Sequence, residues 1–160
     1  MINKINKKAI TLIIVIFLIC IIFILFKSYT TKLDTDEEIE VDGYKISYNK
    51  NLGKYKGELR VPMHVENMKN KDSPINPDKT FKLIIDDKEA QMVTFSNESK
   101  YVNGTSFSPR MTVSLDIVYE IKSNPKSYKL QIHDNKLLKD KVYEYDITSD
   151  ITRVDEIKRR

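Results

Sequence analysis

His64 and His133 are the only two imidazoles that this chain could use for catalysis or metal binding. Neither has a second ligand at the spacing that a local metal site requires. Both occupy the polar phase of alternating segments, which favours surface histidines. A serine-histidine-acid triad would have to be assembled by folding, and no nucleophile-elbow pattern marks a serine. We therefore predict no catalytic residue, and a small envelope hydrolase using either histidine is an unfavoured alternative.

Acidic residues are grouped in residues 34–42 and in the pair Asp86-Asp87, and carboxylate oxygens are ligands that calcium prefers. Neither group has the spacing of a recognised calcium loop. The simpler interpretations are a solvated linker and a tight turn. With only four glycines, the chain also has no glycine-rich loop for phosphates. We expect no metal and no cofactor.

Nine tyrosines and no tryptophan make up much of the aromatic content. Tyrosine is enriched at protein-binding surfaces, but it is equally suited to half-buried strands. If a binding face exists, the loops at residues 70–79 and 97–108 are the first place to expect it. The candidate contact residues within these loops are Asp72, Ile75, Asn76, Tyr101 and Phe107.

An apolar segment near the N-terminus determines where the rest of the chain lies relative to a membrane. Residues 9–26 carry no charge and, apart from Thr11, are all apolar. A helix of this length is about 27 Å long at ~1.5 Å per residue, close to the ~30 Å hydrocarbon core of a bilayer. Lysines precede the segment, so residues 1–8 should stay in the cytoplasm and the rest should lie outside. The sequence predicts a transmembrane helix and an extracytoplasmic domain.

Two other fates of this segment are less well supported. A cleaved signal peptide usually has a shorter apolar region and a small-x-small site, and the following FKSYTTK fits that poorly. Lipidation of Cys20 would need a small residue before it, whereas Ile19 stands there. As the only cysteine, Cys20 cannot form an intrachain disulfide, and exported proteins without disulfides suggest a bacterium, particularly a Gram-positive one.

The basic character of the chain belongs to the anchor. Residues 1–32 hold five of the 27 basic residues and no acidic one, which leaves 22 basic against 23 acidic residues, a net charge of −1. A nucleic-acid surface would require a basic stripe on the folded domain itself. We therefore expect no nucleic-acid partner.

After a polar linker at residues 27–38, the dominant pattern is alternation with period two, which is typical of strands with one buried face. The clearest case is residues 111–121, and proline, glycine and asparagine turns separate the segments. A domain at 39–148, followed by a tail at 149–160, should form an antiparallel immunoglobulin-like β-sandwich. Its seven predicted strands are residues 44–48, 59–66, 81–85, 90–95, 111–121, 128–133 and 142–148.

Two stretches carry a family resemblance. Residues 60–91 contain a strand ending in Asn67, a polar loop, and an aromatic-x-leucine strand at Phe81 and Leu83 that leads into Asp86-Asp87. Residues 106–134 place a proline before a long alternating strand. Together they resemble telokin-like, immunoglobulin-like extracytoplasmic domains of unknown function, found in Gram-positive lipoproteins and anchored proteins. Arg110 stands where that family usually has glycine, as does Lys88.

The resemblance implies an extracytoplasmic sandwich with no established catalytic residues. We expect a non-enzymatic, single-pass envelope protein whose partners are the lipid bilayer, through residues 9–26, and an unknown envelope protein or cell-wall component. An accessory or immunity factor of a secretion or bacteriocin system is the alternative.

Overall fold

The computed structural model describes residues 11–19, 29–97, 105–121, 125–136 and 139–151. Residues 11–19 are helical (α1), two short helices follow at Pro77–Thr80 (α2) and residues 148–151 (α3), and all other elements are strands. The strands are β1 (Tyr29–Leu33), β2 (Glu38–Val41), β3 (Tyr44–Tyr48), β4 (Gly53–Tyr55), β5 (Glu58–Asn67), β6 (Ser73–Ile75), β7 (Phe81–Ile85), β8 (Lys88–Glu89), β9 (Met92–Asn97), β10 (Thr105–Phe107), β11 (Thr112–Glu120), β12 (Tyr128–Lys136) and β13 (Lys139–Asp146).

Two sheets form a β-sandwich, which confirms the predicted all-β class. One sheet has the order β1-β13-β12-β7-β8, and the other has the order β2-β3-β5-β11-β9 with β4 also paired to β5. A third, small sheet pairs β6 with β10. The pairs are antiparallel except for β1, which runs parallel to β13.

Alternation builds the core as the sequence predicts. In β11 the side chains of Val113, Leu115, Ile117 and Tyr119 are buried, and the residues between them are not. The register places Leu115 opposite Met63 and Ile117 opposite Val61 on β5. Burial of one face of each central strand therefore supplies the hydrophobic contact between the sheets.

The structure contains strands outside the seven that alternation predicts. β1 and the start of β2 lie within residues 27–38, the predicted linker, and β6 and α2 lie within the predicted loop 70–79. These elements are short and lie at sheet margins, so their few residues do not produce a recognisable period. The folded domain consequently begins at Tyr29 in the described part of the chain.

Buried tyrosines tie the outer segments to the sandwich. The hydroxyl of Tyr145 donates to the carbonyl oxygen of Glu37 at 2.8 Å, and that of Tyr48 donates to Asp150 Oδ2 at 3.2 Å. Burial is the main reason that the pKa of both phenols is raised above the usual value. Ile151 is also buried, so the start of the predicted tail at residues 149–160 is part of the core.

Of the predicted transmembrane helix 9–26, residues 11–19 are described, and they are helical. Within the described ranges, no helix is both long enough and apolar enough to cross a membrane. The large apolar side chains of residues 12–19 are all exposed, with fractional exposures between 45% and 66%.

Four turns of the described chain contain residues in the left-handed backbone region, and two of these turns adopt it without a glycine. Asp86 and Asp87 have φ of 47° and 62°, which suits a two-residue turn between β7 and β8. Arg110 has φ of 61° in the turn before β11, at the position where the resembled family has glycine. A side chain with a Cβ is strained there by about 1 kcal/mol, whereas glycine is not.

We predict that Arg110→Gly unfolds with a free energy about 1 kcal/mol higher than Arg110→Ala, because only glycine relaxes the positive φ. Both variants lose the contact between Arg110 Nη1 and Met68 Sδ at 3.7 Å, so the difference isolates the backbone effect. Denaturant unfolding of the two variants, followed by circular dichroism, measures it. Equal stability of the glycine and alanine variants would show that this turn is not strained.

Candidate functional site

The two loops in which the sequence predicts a binding face lie together. β6, from the first loop, pairs with β10, from the second, with Ser73 opposite Phe107. Asp72 and Asn76 are exposed, but Ile75 and Phe107 are 4% and 1% exposed and belong to the core. Tyr101 lies outside the described residues. Of the predicted contact residues, Asp72 and Asn76 are therefore the two whose side chains are seen at the surface.

Asn67, the last residue of β5, organises this end of the sandwich. Its side chain is fully buried, and Nδ2 donates to the carbonyl oxygens of Lys71 at 3.0 Å and Phe107 at 2.6 Å. Its Oδ1 accepts the backbone N–H of Lys69 at 3.0 Å. Its own backbone bonds to Met111 and Arg110. The side-chain amide thus joins the loop after β5 to β10, and the backbone of the same residue joins both to the turn before β11.

A cavity of about 200 Å³ opens beside this end, between the two sheets. From one side it is lined by the β2–β3 hairpin, and from the other by the segment around α2 and the end of β12. Its lining residues are Val41, Asp42, Tyr44, Ile46, Pro74, Ile75, Asn76, Lys79, Thr80, His133 and Asp134.

Tyr44 gives the cavity a buried phenol. The residue is 2% exposed, and within the described part of the chain its hydroxyl has no hydrogen-bond partner. The ring meets Phe107 edge-on at 6.4 Å between centroids, and Lys69 Nζ lies 4.5 Å from the ring centroid. Lys69 Nζ also lies 3.2 Å from both Asp42 Oδ2 and Ser73 Oγ. The phenol is therefore held in place by its ring contacts.

Gly43 permits this close approach of Lys69. It has φ of +72°, and a Cβ added there would lie 2.9 Å from Lys69 Cε. A side chain at this position would be strained and would displace the lysine from Tyr44.

Asp134 gives the cavity a buried carboxyl group, 4% exposed, at the end of β12. It continues the buried phase of that strand, after Tyr128, Leu130 and Ile132. Sequence reasoning missed it, because the predicted strand ended at His133. An acidic residue in the apolar phase of an alternating strand is the signal that could have found it, because a buried charge needs compensating partners.

Size and polarity limit what the cavity can hold. At about 200 Å³ it is smaller than the ~300–1,000 Å³ typical of pockets for whole small molecules. It has room for one polar side chain or the end of a larger ligand. Asp134 can accept hydrogen bonds, Lys79 can donate, and the Tyr44 hydroxyl can do either. The arrangement is therefore suited to binding a small polar group.

Most acidic residues of the two groups at residues 34–42 and 86–87 form hydrogen bonds or ion pairs within the domain. In the predicted turn, Asp86 Oδ1 accepts the backbone N–H groups of Lys126 and Ser127 at 2.9 and 3.0 Å, and Asp87 pairs with Lys129 at 3.1 Å. Within residues 34–42, the ion pairs are Asp36 with Lys50, Glu38 with Lys45, and Asp42 with Lys69. Among the described residues, no cluster of three His, Cys, Asp or Glu could hold a metal ion.

The two histidines lie in different surroundings. His64 is exposed, and its Nε2 lies 3.1 Å from Asn49 Nδ2. His133 is half-buried and lines the cavity beside Asp134. The prediction of a surface histidine therefore describes His64 well and His133 only in part.

This chain belongs to the family described as a domain of unknown function, DUF4352, whose pattern matches residues 31–143. The match begins inside β1, in agreement with a domain that includes the predicted linker. No curated protein matches the sequence.

Solved structures share the fold at low sequence identity. An uncharacterized β-sandwich protein of Clostridium difficile is 13% identical with a TM-score of 0.52, covering 76% of this chain and 97% of its own. The yjhA protein of Bacillus subtilis is 17% identical with a TM-score of 0.52, covering 71% and 98%. A candidate lipoprotein of Bacillus subtilis, ycdA, is 15% identical with a TM-score of 0.52, covering 77% of this chain but 42% of its own. At these identities the likeness establishes the fold alone.

We predict that Asn67→Ala lowers the free energy of unfolding by about 3 kcal/mol, because the carbonyl groups of Lys71 and Phe107 lose their buried donor. Asn67→Asp should cost more, since it replaces the donor with a buried charge. Asn70→Ala, at an exposed position of the same loop, is the control and should change stability by less than about 0.5 kcal/mol. Chemical denaturation measures all three. A loss at Asn67 no larger than that at Asn70 would contradict the role of this amide.

Proposed function

We propose that this chain is a non-catalytic, single-pass membrane protein of the cell envelope whose extracytoplasmic β-sandwich binds an envelope protein or a cell-wall component. The cavity between the sheets is the observation that carries the binding role. It combines the buried Tyr44 hydroxyl with the buried Asp134 carboxyl group, and exposed Asn76 lies at its edge. The Tyr44 hydroxyl is buried without a hydrogen-bond partner among the described residues, which is costly for folding alone and favours a ligand that supplies one.

The exposed apolar face of α1 supports the membrane anchor. Eight consecutive apolar side chains in residues 12–19 would be unfavourable in water and are favourable in lipid. They lie inside the uncharged segment 9–26, which is long enough to span a bilayer. The extracytoplasmic location is further supported by the candidate lipoprotein among the structural relatives.

Two finer assignments belong to this proposal. We assign the sandwich to the telokin-like, immunoglobulin-like group because its turns and strands around Asn67 and Asp86 follow one another as they do in that group. We also assign it no catalysis, because His133 and Asp134 adjoin each other in the cavity without a cysteine or serine among the lining residues.

The anchor predicts how the chain fractionates. The 160-residue chain should remain in the membrane pellet after alkaline carbonate washing, and protease added to intact protoplasts should digest the sandwich. Ile16→Asp with Ile19→Asp should release the chain, since each central acidic residue costs about 3 kcal/mol in lipid. Ile16→Leu with Ile19→Leu is the matched control and should stay bound. Release of the unmodified chain, or protection of the sandwich, would contradict the topology.

The cavity predicts a position-specific photocrosslink. A benzoylphenylalanine at position 76 should form a discrete adduct in membranes of cells that produce the chain, and the same group at exposed position 55 should not. Tyr44→Phe should weaken the adduct about tenfold, because one buried hydrogen bond is worth about 1.4 kcal/mol. Tyr119→Phe is the control, since its hydroxyl is also buried without a described partner but does not line the cavity. Equal adducts at positions 55 and 76, or equal effects of the two Tyr→Phe changes, would overturn the site.

A further inference from the structure

The start of β1 lies very close in sequence to the predicted membrane span. Phe26 is the last residue of the uncharged segment, and Tyr29 is the first residue of β1. Three residues of chain reach at most about 11 Å at ~3.6 Å per residue. The headgroup layer on each side of a bilayer is about 5–8 Å thick. If residues 9–26 span the membrane, Tyr29 must lie at or near the headgroups.

The strand register shows which end of the sandwich accompanies Tyr29. Tyr29 pairs with Lys141, and Lys141 pairs with Asp134, which lines the cavity. Leu33, at the other end of β1, pairs with Tyr145. The end that contains the cavity, Asn67 and the β12–β13 hairpin is therefore the end nearest the span. We call this the proximal end and the end that contains Tyr145 the distal end.

The two ends differ in charge. Basic side chains are exposed at the proximal end, namely Lys71, Lys79, Arg110 and Lys141. The described acidic residues there are Asp42, which is paired with Lys69, exposed Asp72 and Asp78, half-buried Glu66 and buried Asp134, so the exposed cations at this end face few unpaired exposed carboxylates. Among the described residues of the distal end, carboxylates outnumber lysines. The carboxylates are Asp34, Asp36, Glu37, Asp86, Asp87, Glu120, Asp146 and Asp150, and the lysines are Lys54, Lys56, Lys88 and Lys126 together with Lys50 and Lys129, which pair with Asp36 and Asp87.

We infer that the proximal end of the sandwich docks on the anionic headgroups of the bilayer that holds residues 9–26. This inference rests on the membrane anchor of the proposed function. The short connection forces only the β1 edge to be near the lipid, because the sandwich could still tilt away. Each lysine or arginine near an anionic surface contributes about 1 kcal/mol of attraction. This attraction holds the sheet that lacks β1 against the headgroups as well. The acidic distal end is repelled by the same surface and points away from it.

Tryptophan fluorescence can test this arrangement, because the chain has no tryptophan of its own. Met111 is 45% exposed and follows the Arg110 turn at the proximal end, on the sheet that lacks β1. Tyr55 is 68% exposed, and its register partner Glu58 lies at the distal end of β5. Met111→Trp and Tyr55→Trp therefore report on opposite ends of the same sandwich. Each variant of the 160-residue chain is placed in nanodiscs of phosphatidylglycerol with brominated acyl chains, or of brominated phosphatidylcholine.

We expect the tryptophan at position 111 to lose about half of its emission in phosphatidylglycerol nanodiscs and much less in phosphatidylcholine, while that at position 55 is unaffected in both. The quenching should fall in 1 M salt, where the screening length is about 3 Å. Changing Lys71, Arg110 and Lys141 to glutamine should abolish it. The matched control changes Lys56, Lys88 and Lys126 to glutamine, which removes the same charge from the distal end and should leave it intact.

The outcomes distinguish failure of the membrane anchor from failure of the docking. Failure of the chain to enter nanodiscs would overturn the anchor and this inference with it. Entry into nanodiscs with equal quenching at positions 111 and 55, or with the same quenching in both lipids, would overturn the docking while the anchor stands. Equal effects of the proximal and distal glutamine variants would also overturn it, because the attraction would then not be local to the proximal end.

Discussion

The buried amide of Asn67 is the interaction on which the proximal end of the sandwich depends. The polar loop after β5, the short strand β10 and the turn before β11 have few apolar side chains with which to fix their positions. The side chain of Asn67 fixes the loop and β10, since it satisfies two carbonyl groups and one backbone N–H there, and the backbone of Asn67 bonds to Met111 and Arg110 in the turn before β11. Because β10 pairs with β6, this order extends to the segment that lines the cavity. A single polar residue thereby fixes the positions of β6 and β10, and β6 forms part of the cavity wall.

The long strands could be predicted from the sequence because hydrophobic burial repeats within them. β11 has four buried apolar side chains in strict alternation, and β12 has three, followed in the same phase by Asp134. The short strands could not be predicted in this way. β1, for example, has no buried residue among its five, so its place in the sheet depends on backbone pairing with β13. Such pairing is a tertiary property that local periodicity cannot reveal.

The candidate site was predictable in its location and less so in its residues. Turn composition indicated the end of the domain at which the cavity lies, and Asn76 lines this cavity. Ile75 lines the cavity but is buried, as is Phe107, because apolar side chains in these segments gain more from burial than from contact with a partner. The proximity of Asp134 to Tyr44 depends on how the β12–β13 hairpin and the β2–β3 hairpin meet across the sandwich. Their neighbours lie far away in sequence, so no local pattern brings them together.

The position of the cavity limits which ligands could reach it. Asp134 and Tyr29 lie in one row of the sheet, across Lys141, so a span formed by residues 9–26, as we propose, would approach the domain on the side of the cavity. With the proximal end docked on the bilayer, as we infer, the cavity would face the headgroup layer. A ligand there would have to be presented at the membrane surface, as the extracytoplasmic end of another membrane protein or a membrane-linked precursor would be. A polymer held deep in the cell wall would instead meet the acidic distal end, where the grouped carboxylates favour cationic rather than anionic contacts.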